Sequence, residues 1–236
     1  MTKIIFLLAA VLSTLGCQAQ RMVDERPRVL ISTDIGGTDP DDNQSMIHLM
    51  MYSDLFQLEG LVSSPSFGNG SKQEILRMID LYAKDYPQLK KHTPRLMSPK
   101  ALRKLCKQGR HGLMPYKGYA EPTEGSQWII RCARKESSQP LWVLVWGTLE
   151  DVAQALHDAL DIASRIRVYW IGGPNKKWGV NSYAYIVSNF PDLWMIENNA
   201  PIGVSSPITI GWNSSRNTQA WNRIRTATAR ATMTMP

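Results

Sequence analysis

The stretch that decides the fold is RVLISTDIGGTDPDD, residues 28–42. Its first six residues are mostly apolar or β-branched, which predicts a buried strand that ends at Thr33, just before Asp34. A loop with two glycines and a proline follows, and the spacing of Met46 and Met50 predicts a helix from about Asn43. A strand that leads into a helix through a short loop is the building unit of an α/β protein.

The same alternation of strand and helix continues to about residue 199. Further apolar strands are predicted at Leu58–Ser63, Leu141–Trp146, Arg167–Ile171 and Leu193–Ile196. Between them, helices are predicted from Ser71, over Pro99–Lys107, over Gly125–Glu136, from Thr148–Asp151 and over Asn181–Phe190. The pattern predicts an α/β fold with an open, mostly parallel sheet and helices on both faces.

Composition narrows the class of protein. The chain has 236 residues, 43% of them hydrophobic, as expected of one globular domain with appendages, and its three cysteines are too few for a disulfide scaffold. The net charge of +7 is concentrated outside the predicted domain, because residues 201–236 hold four arginines and no acid. Since a nucleic-acid binder carries its positive charge on the folded surface, we expect no nucleic-acid partner.

The first twenty residues predict export. One lysine precedes an apolar run from Ile4 to Leu15, which is too short to span a bilayer and fits a signal peptide over residues 1–20. Leu15-Gly16-Cys17 is similar to a lipoprotein signal, although cleavage by an ordinary signal peptidase is an alternative. We expect a periplasmic or extracellular protein that meets a membrane only through a lipid on Cys17. Cys106 and Cys132 then either pair or remain buried thiols.

The acidic loop after the first strand is the main candidate for chemistry. Asp34, Asp39, Asp41 and Asp42 lie within nine residues, and Gly36 and Gly37 allow a turn that brings the first and last together. Four carboxylates repel one another unless a cation lies between them, and Ca²⁺ prefers oxygen ligands. An alternative is that Asp41 or Asp42 caps the following helix.

These motifs carry a family resemblance that covers residues 28–199. A strand that ends in Asp, a glycine-containing turn and an Asp-Asp pair opening a helix resemble the first signature of the nucleoside hydrolases. The wider pattern resembles their exported branch of nucleoside hydrolase-like, cellulose-binding proteins. It includes SSPSFGNG at 63–70, WGTLEDVA at 146–153 and IGGPNKKW at 171–178.

The resemblance implies roles for particular residues. Asp34 would be a calcium ligand and the general base, and Asp42 a bidentate calcium ligand. Glu150 would bind the metal through its backbone carbonyl. Residues implied in substrate binding are Asp41, Asn69 and Asn181, with Asp39 and Trp178 as further candidates. The acidic loop is two residues longer than in the nucleoside hydrolases, which leaves the positions of Asp39 and Asp41 open.

The implied activity is that of an exported glycosyl hydrolase-like protein. It would cleave N-glycosidic (nucleoside-type) or related glycosyl bonds of a small-molecule glycoside or polysaccharide, with a Ca²⁺-bound water. One alternative is a carbohydrate-binding protein without turnover. A second alternative is an inactive, truncated fragment.

The second alternative comes from the last residues. The family's final calcium ligand is an Asp far downstream, but after Glu197 the chain contains no Asp, Glu or His. We therefore expect an incomplete nucleoside hydrolase-like domain over residues 21–199. Residues 200–236 would then be a low-complexity tail unrelated to the family.

Overall fold

The computed structural model describes residues 24–37, 40–65 and 70–199. Six strands and seven α-helices alternate in this part of the chain. The strands are β1 (Arg28–Thr33), β2 (Gln57–Ser63), β3 (Cys106–Gln108), β4 (Leu141–Val145), β5 (Ile166–Ile171) and β6 (Met195–Asn198). The helices are α1 (Asp41–Met51), α2 (Lys72–His92), α3 (Pro99–Leu105), α4 (Glu124–Ala133), α5 (Glu150–Asp158), α6 (Gly173–Trp178) and α7 (Val180–Asn189).

The six strands form one parallel sheet in the order β3-β2-β1-β4-β5-β6. The chain builds outward from β1 in one direction and then from β4 in the other, so the strand order reverses between β1 and β4. In open parallel sheets the crevice outside the carboxyl ends of the strands at this reversal is where ligands bind. Asp34 is the first residue after β1 and therefore lies at that crevice.

Both faces of the sheet carry a core, as the sequence predicted. Val29 and Ile31 of β1 pack with α1, α2 and α3 on one face. Leu30 of β1 points to the opposite face, where residues of β4 and β5 pack with α4, α5 and α7. The alternation of side chains along a strand explains how one apolar segment supplies both cores.

Two elements were missed by the sequence reasoning. The helix predicted over Pro99–Lys107 ends at Leu105, and Cys106–Gln108 forms β3 at the edge of the sheet. Three residues are too few to show the period of a strand. Gly173–Trp178 forms the short helix α6, whose opening Gly-Pro pair is typical of a loop as well as of a first helical turn.

The two cysteines in the described residues are free and buried. Cys106 belongs to the core under α2 and α3, whereas Cys132 belongs to the core on the opposite face of the sheet. Burial raises the pKa of the Cys106 thiol to about 11 and that of Cys132 to about 12. Both are therefore unreactive thiols at neutral pH.

Several predictions fall on residues outside the described part of the chain. They concern the signal peptide over 1–20 with Cys17, the substrate residues Asp39 and Asn69, and the tail over 200–236. Within the described residues, none of the helices has the length and apolar character needed to cross a bilayer.

Candidate functional site

A tight turn presents Asp34 at the carboxyl end of β1. The Asp34 carbonyl accepts the Gly37 N–H at 2.9 Å. Gly36 has a φ of +86°, and a Cβ there would lie 2.9 Å from Cβ of Ser71, so both the turn and the neighbouring helix require glycine. Gly147, two residues after β4, lies against Asp34 from the other side of the crevice.

Asp42, in the first turn of α1, lies next to Asp34. It is buried, and its Oδ2 accepts a hydrogen bond from the Thr33 hydroxyl. Burial raises the pKa of Asp42 to about 8, and the neighbouring Asp34 carboxyl, within hydrogen-bonding reach, adds to the rise. The turn therefore brings Asp34 and Asp42 together as predicted, in a position where both cannot easily carry a negative charge.

Asp41 is exposed at the first position of α1. Its Oδ1 accepts the Asp42 N–H at 2.9 Å, so one free amide of the first helical turn is satisfied by Asp41. The alternative that Asp41 or Asp42 caps the helix is wrong, because Pro40 occupies the N-cap position and no side chain caps the helix from there. The role in binding sugar hydroxyls stays a prediction.

The Glu150 side chain is fully buried at the start of α5. Neither carboxylate oxygen makes a hydrogen bond to the described residues. Burial raises the pKa of Glu150 to about 7, and the Ser182 hydroxyl and the Met114 backbone partly oppose the rise. The Ser182 hydroxyl instead donates to the Gly179 carbonyl at 2.9 Å. The sequence reasoning assigned a role only to the Glu150 backbone, which stays a prediction.

Asn181 and Trp178 lie farther along the same edge of the sheet. Asn181, on α7, donates from Nδ2 to the Met114 carbonyl at 2.9 Å and so ties the loop after β3 to this helix. Trp178, the last residue of α6, is half-buried. Their predicted contacts with substrate remain predictions.

Asp151 organises this edge of the sheet, although the sequence reasoning gave it no function. Its fully buried carboxylate accepts hydrogen bonds from the Ser64 and Thr123 hydroxyls, both at 2.6 Å, and from the Arg110 N–H at 3.1 Å. These groups follow β2, precede α4 and follow β3. An acid in the first turn of a helix that follows an apolar strand was the available signal, but helix capping explains it equally well.

Asn175, on α6, is a second polar residue that the sequence reasoning passed over. Its Nδ2 donates to the carbonyls of Trp146 and Ile171, at 3.1 and 3.0 Å, which end β4 and β5. Its buried Oδ1 makes no hydrogen bond to the described residues. Asn175 therefore fixes the two strand ends on the far side of the crevice.

The carboxylate oxygens at the crevice provide some, but not all, of the ligands that a hard cation such as Ca²⁺ needs. Within the described ranges, no three or more His, Cys, Asp or Glu side chains converge closely enough to hold a metal ion. The adjacent Asp34 and Asp42 carboxylates can supply about two to four of the about six to eight oxygens that Ca²⁺ takes. A cation between them would replace the proton that now relieves their repulsion, so the pair fits Ca²⁺ as a partial site.

This pair predicts a pH dependence of stability. Without a divalent cation, folded Asp42 keeps its proton up to about pH 8, whereas the unfolded chain loses it near pH 4. Because the folded state then binds the extra proton, the free energy of unfolding falls as pH rises from about 4 to 8, and Asp42 alone contributes at most about 1.4 kcal/mol per pH unit. Thermal melts in EDTA across this range should show the fall.

Asp42→Asn should reduce this slope, and the buried Glu150 and Asp151 carboxyls, whose pKa values burial also raises, account for the remainder. Asp85→Asn, an exposed acid on α2, is the matched control and should keep the wild-type slope. Equal slopes in wild type and Asp42→Asn would show that Asp42 is ionised in the folded protein.

Residues 28–234 match the family described as "Cellulose-binding Sde182, nucleoside hydrolase-like domain". The chain belongs to this family. The match includes the acidic turn, the crevice between β1 and β4 and residues beyond 199. No curated protein sequence matches the chain.

Two solved structures illustrate the likeness of this Sde182-type domain to known folds. One is a nucleoside hydrolase-related hypothetical protein from Saccharophagus degradans that is associated with carbohydrate metabolism. It is 27% identical, with a TM-score of 0.61, over 71% of this chain and 43% of that chain. The other is an inosine-uridine preferring nucleoside hydrolase from Bacillus anthracis. It is 16% identical, with a TM-score of 0.49, over 85% of this chain and 72% of that chain. The chain thus spans less than half the length of the first structure. The family match and the first structure together show that the chain has the nucleoside hydrolase-like α/β fold.

Proposed function

We propose that this domain hydrolyses N-glycosidic or related glycosyl bonds at the crevice between β1 and β4, with Ca²⁺ held by Asp34, Asp42 and the Glu150 backbone carbonyl. The observation that carries the proposal is the contact between the Asp34 and Asp42 carboxyl groups at the strand-order reversal. Family membership supports it, since the matched residues 28–234 include the acidic turn and both strands that border the crevice.

Each residue at the crevice has its own role in the proposed reaction. Asp34 is half-buried and lies against Gly147, where no side chain separates it from the crevice, so its carboxylate can accept a proton from an attacking water. Thr33 and the start of α1 hold Asp42 in place. Bound Ca²⁺ would supply a lowered pKa for that water and a fixed direction of attack. Asn181 and Trp178 line the same edge for substrate.

A second function has its own support. The family description includes cellulose binding, and the polar edge of this sheet could hold a glycan without cleaving it. In that case Asp34 and Asp42 would serve binding, and no bond would be broken. The substrate in both cases is a carbohydrate or a nucleoside.

The test combines metal binding with turnover in the full chain. Calorimetric titration with Ca²⁺ and release of ribose from inosine or uridine are measured for wild type, Asp34→Asn and Asp42→Asn. We expect Asp42→Asn to lose Ca²⁺ binding. Asp34→Asn should lower hydrolysis about 100-fold or more, because it removes the general base.

Asp85→Asn is the control and should behave as wild type in both assays. Retention on cellulose is measured beside them. Glycan retention without hydrolysis in wild type would favour the binding function over the enzyme. Ca²⁺ affinity that is equal in wild type and Asp42→Asn would overturn the proposed metal site.

A further inference from the structure

A concentrated basic surface lies at the edge of the sheet opposite the candidate site. The segment 80–104 contains seven Lys or Arg residues and two Asp residues. All seven are exposed, and we call four of them, Lys90, Lys91, Arg95 and Lys100, the basic edge. They lie at the end of α2, in the following loop and at the start of α3.

The position of the basic edge follows from the parallel topology. Helix α2 leaves the carboxyl end of β2 and returns to the amino end of the sheet, and α3 starts there before leading into β3. The loop between them is fixed to the end of α1, since the Met97 N–H donates to the Ser53 hydroxyl at 3.0 Å. The basic edge is therefore about one strand length, roughly 20 Å, from the crevice.

The cations of the basic edge form no ion pair within the described residues, although Arg95 lies near enough to Asp24 to lower its pKa. Arg103 pairs with Asp80, whereas none of Lys90, Lys91, Arg95 and Lys100 forms an ion pair with a described carboxylate. Elsewhere at the amino end of the sheet, Arg134 pairs with Asp161 and Lys135 with Glu59. Arg165, just before β5, is a further exposed cation at this end of the sheet, but the four of the basic edge are grouped on the face formed by α2 and α3, where an anionic partner fits.

Apolar side chains border the same surface. Met51 and Tyr52, at the end of α1, are 41% and 39% exposed. The adjoining Ser53 holds the loop that carries Arg95 through the Met97 contact. Exposed apolar and aromatic side chains beside lysines and arginines are the combination found on surfaces that lie on a membrane.

The chain also enters the described fold at this edge. The Asp24 carboxylate is hydrogen-bonded to Arg26, which lowers its pKa, and the nearby Arg95 guanidinium adds to the effect. Arg26 in turn donates to the Asp54 carbonyl at 3.2 Å, close to the start of β2. Cys17 precedes Asp24 by seven positions, a span of at most about 25 Å, so the predicted lipid on Cys17 would be within reach of the basic edge.

We propose that the basic edge docks on an anionic lipid surface, with Met51 and Tyr52 at the headgroup level. The crevice between β1 and β4 then faces away from the lipid and stays open to solvent. Lipid contact through charge does not require the predicted lipid on Cys17, and an anchor there would strengthen it. The proposal is independent of the activity at the crevice.

The experiment is vesicle sedimentation of the full chain. Vesicles of phosphatidylcholine alone are compared with vesicles of phosphatidylcholine mixed with phosphatidylglycerol, at low and high salt. We expect binding to the anionic vesicles that weakens with salt. Lys90→Gln/Lys91→Gln should weaken this binding about tenfold or more. Adding Arg95→Gln and Lys100→Gln should abolish the preference for anionic vesicles.

Lys117→Gln/Lys177→Gln is the matched control, because it removes the same charge from two exposed lysines at the opposite edge. It should bind as wild type, and thermal melts should show that all variants remain folded. Equal binding to both vesicle types, or equal losses in the two double variants, would overturn the proposal. Binding to DNA with no binding to anionic vesicles would also overturn it and assign the surface to a polyanion.

Discussion

Asp151→Ala is expected to lower the free energy of unfolding by about 3–5 kcal/mol, the largest stability effect of any substitution considered for this chain. The change removes a fully buried carboxylate and leaves the Ser64 hydroxyl, the Thr123 hydroxyl and the Arg110 N–H without their acceptor. For a chain of this size the loss corresponds to a fall in melting temperature of about 10 °C. Thermal or urea unfolding measures it directly.

At two glycines the backbone packs closely against the Asp151 carboxylate, which leaves no room for an acceptor of another shape. A Cβ at Gly109 would lie 2.2 Å from Asp151 Oδ2, and a Cβ at Gly125 would lie 3.3 Å from Oδ1. The loop after β3 and the start of α4 thus close directly on the carboxylate. Asp151→Asn should fall between wild type and Asp151→Ala, because an amide keeps the shape but offers two donors where donors already point.

Asp158→Ala is the matched control for this prediction. Asp158 lies on the same helix, is exposed, and accepts from the Gln154 amide at 2.8 Å. An exposed acid near the end of a helix contributes little, so we expect a change within about 0.5 kcal/mol. If Asp151→Ala and Asp158→Ala both have the free energy of unfolding of wild type, Asp151 does not organise the sheet edge.

Most of the fold could be predicted because the strands are buried on both faces. Apolar runs such as Leu141–Val145 between amphipathic helices leave a parallel sheet as the arrangement that covers every apolar side chain. Edge elements lack this signal. β3 is three residues long, and its middle residue Lys107 is charged, so its strand conformation depends on pairing with β2 rather than on its own sequence.

The helix-start signals show the same division between local and tertiary information. The sequence predicts that α2 starts at Ser71, and this is confirmed, since Ser71 Oγ accepts the Glu74 N–H at 3.3 Å. In a capping box the Glu74 carboxylate would also accept the Ser71 N–H, but here it accepts from Asn43 and Arg77 instead. A partner from α1 cannot be read from the local spacing.

The site could be predicted where its residues are close in sequence. The meeting of Asp34 and Asp42 follows from one loop with a glycine at positive φ, so local sequence was sufficient. Asp151 and Asn175 act through partners more than twenty residues away, from Ser64 to Asp151 and from Trp146 to Asn175. Such contacts arise from strand order, which residue spacing does not encode.

Gly147→Ala is expected to abolish the hydrolysis and Ca²⁺ binding proposed for the crevice while leaving the fold intact. The new Cβ would lie 2.8 Å from Asp34 Cβ and 2.9 Å from its Cγ, closer than carbon atoms approach without movement. The Asp34 side chain must therefore move away from Asp42 or from the crevice. A displacement of about 1 Å at a reacting group costs about 100-fold in rate, and the shared cation would be lost with it.

Calcium titration and glycoside hydrolysis of Gly147→Ala measure this effect, and a thermal melt tests whether the chain still folds. Gly60→Ala is the matched control, because its Cβ would lie 2.8 Å from Leu30 Cδ1 within the same sheet but would touch no carboxylate. Similar losses of stability in the two variants, with loss of Ca²⁺ binding in Gly147→Ala alone, are the expected result. Wild-type Ca²⁺ affinity in Gly147→Ala would mean that Asp34 can move without cost, and hence that the crevice does not hold it in the fixed position that a general base requires.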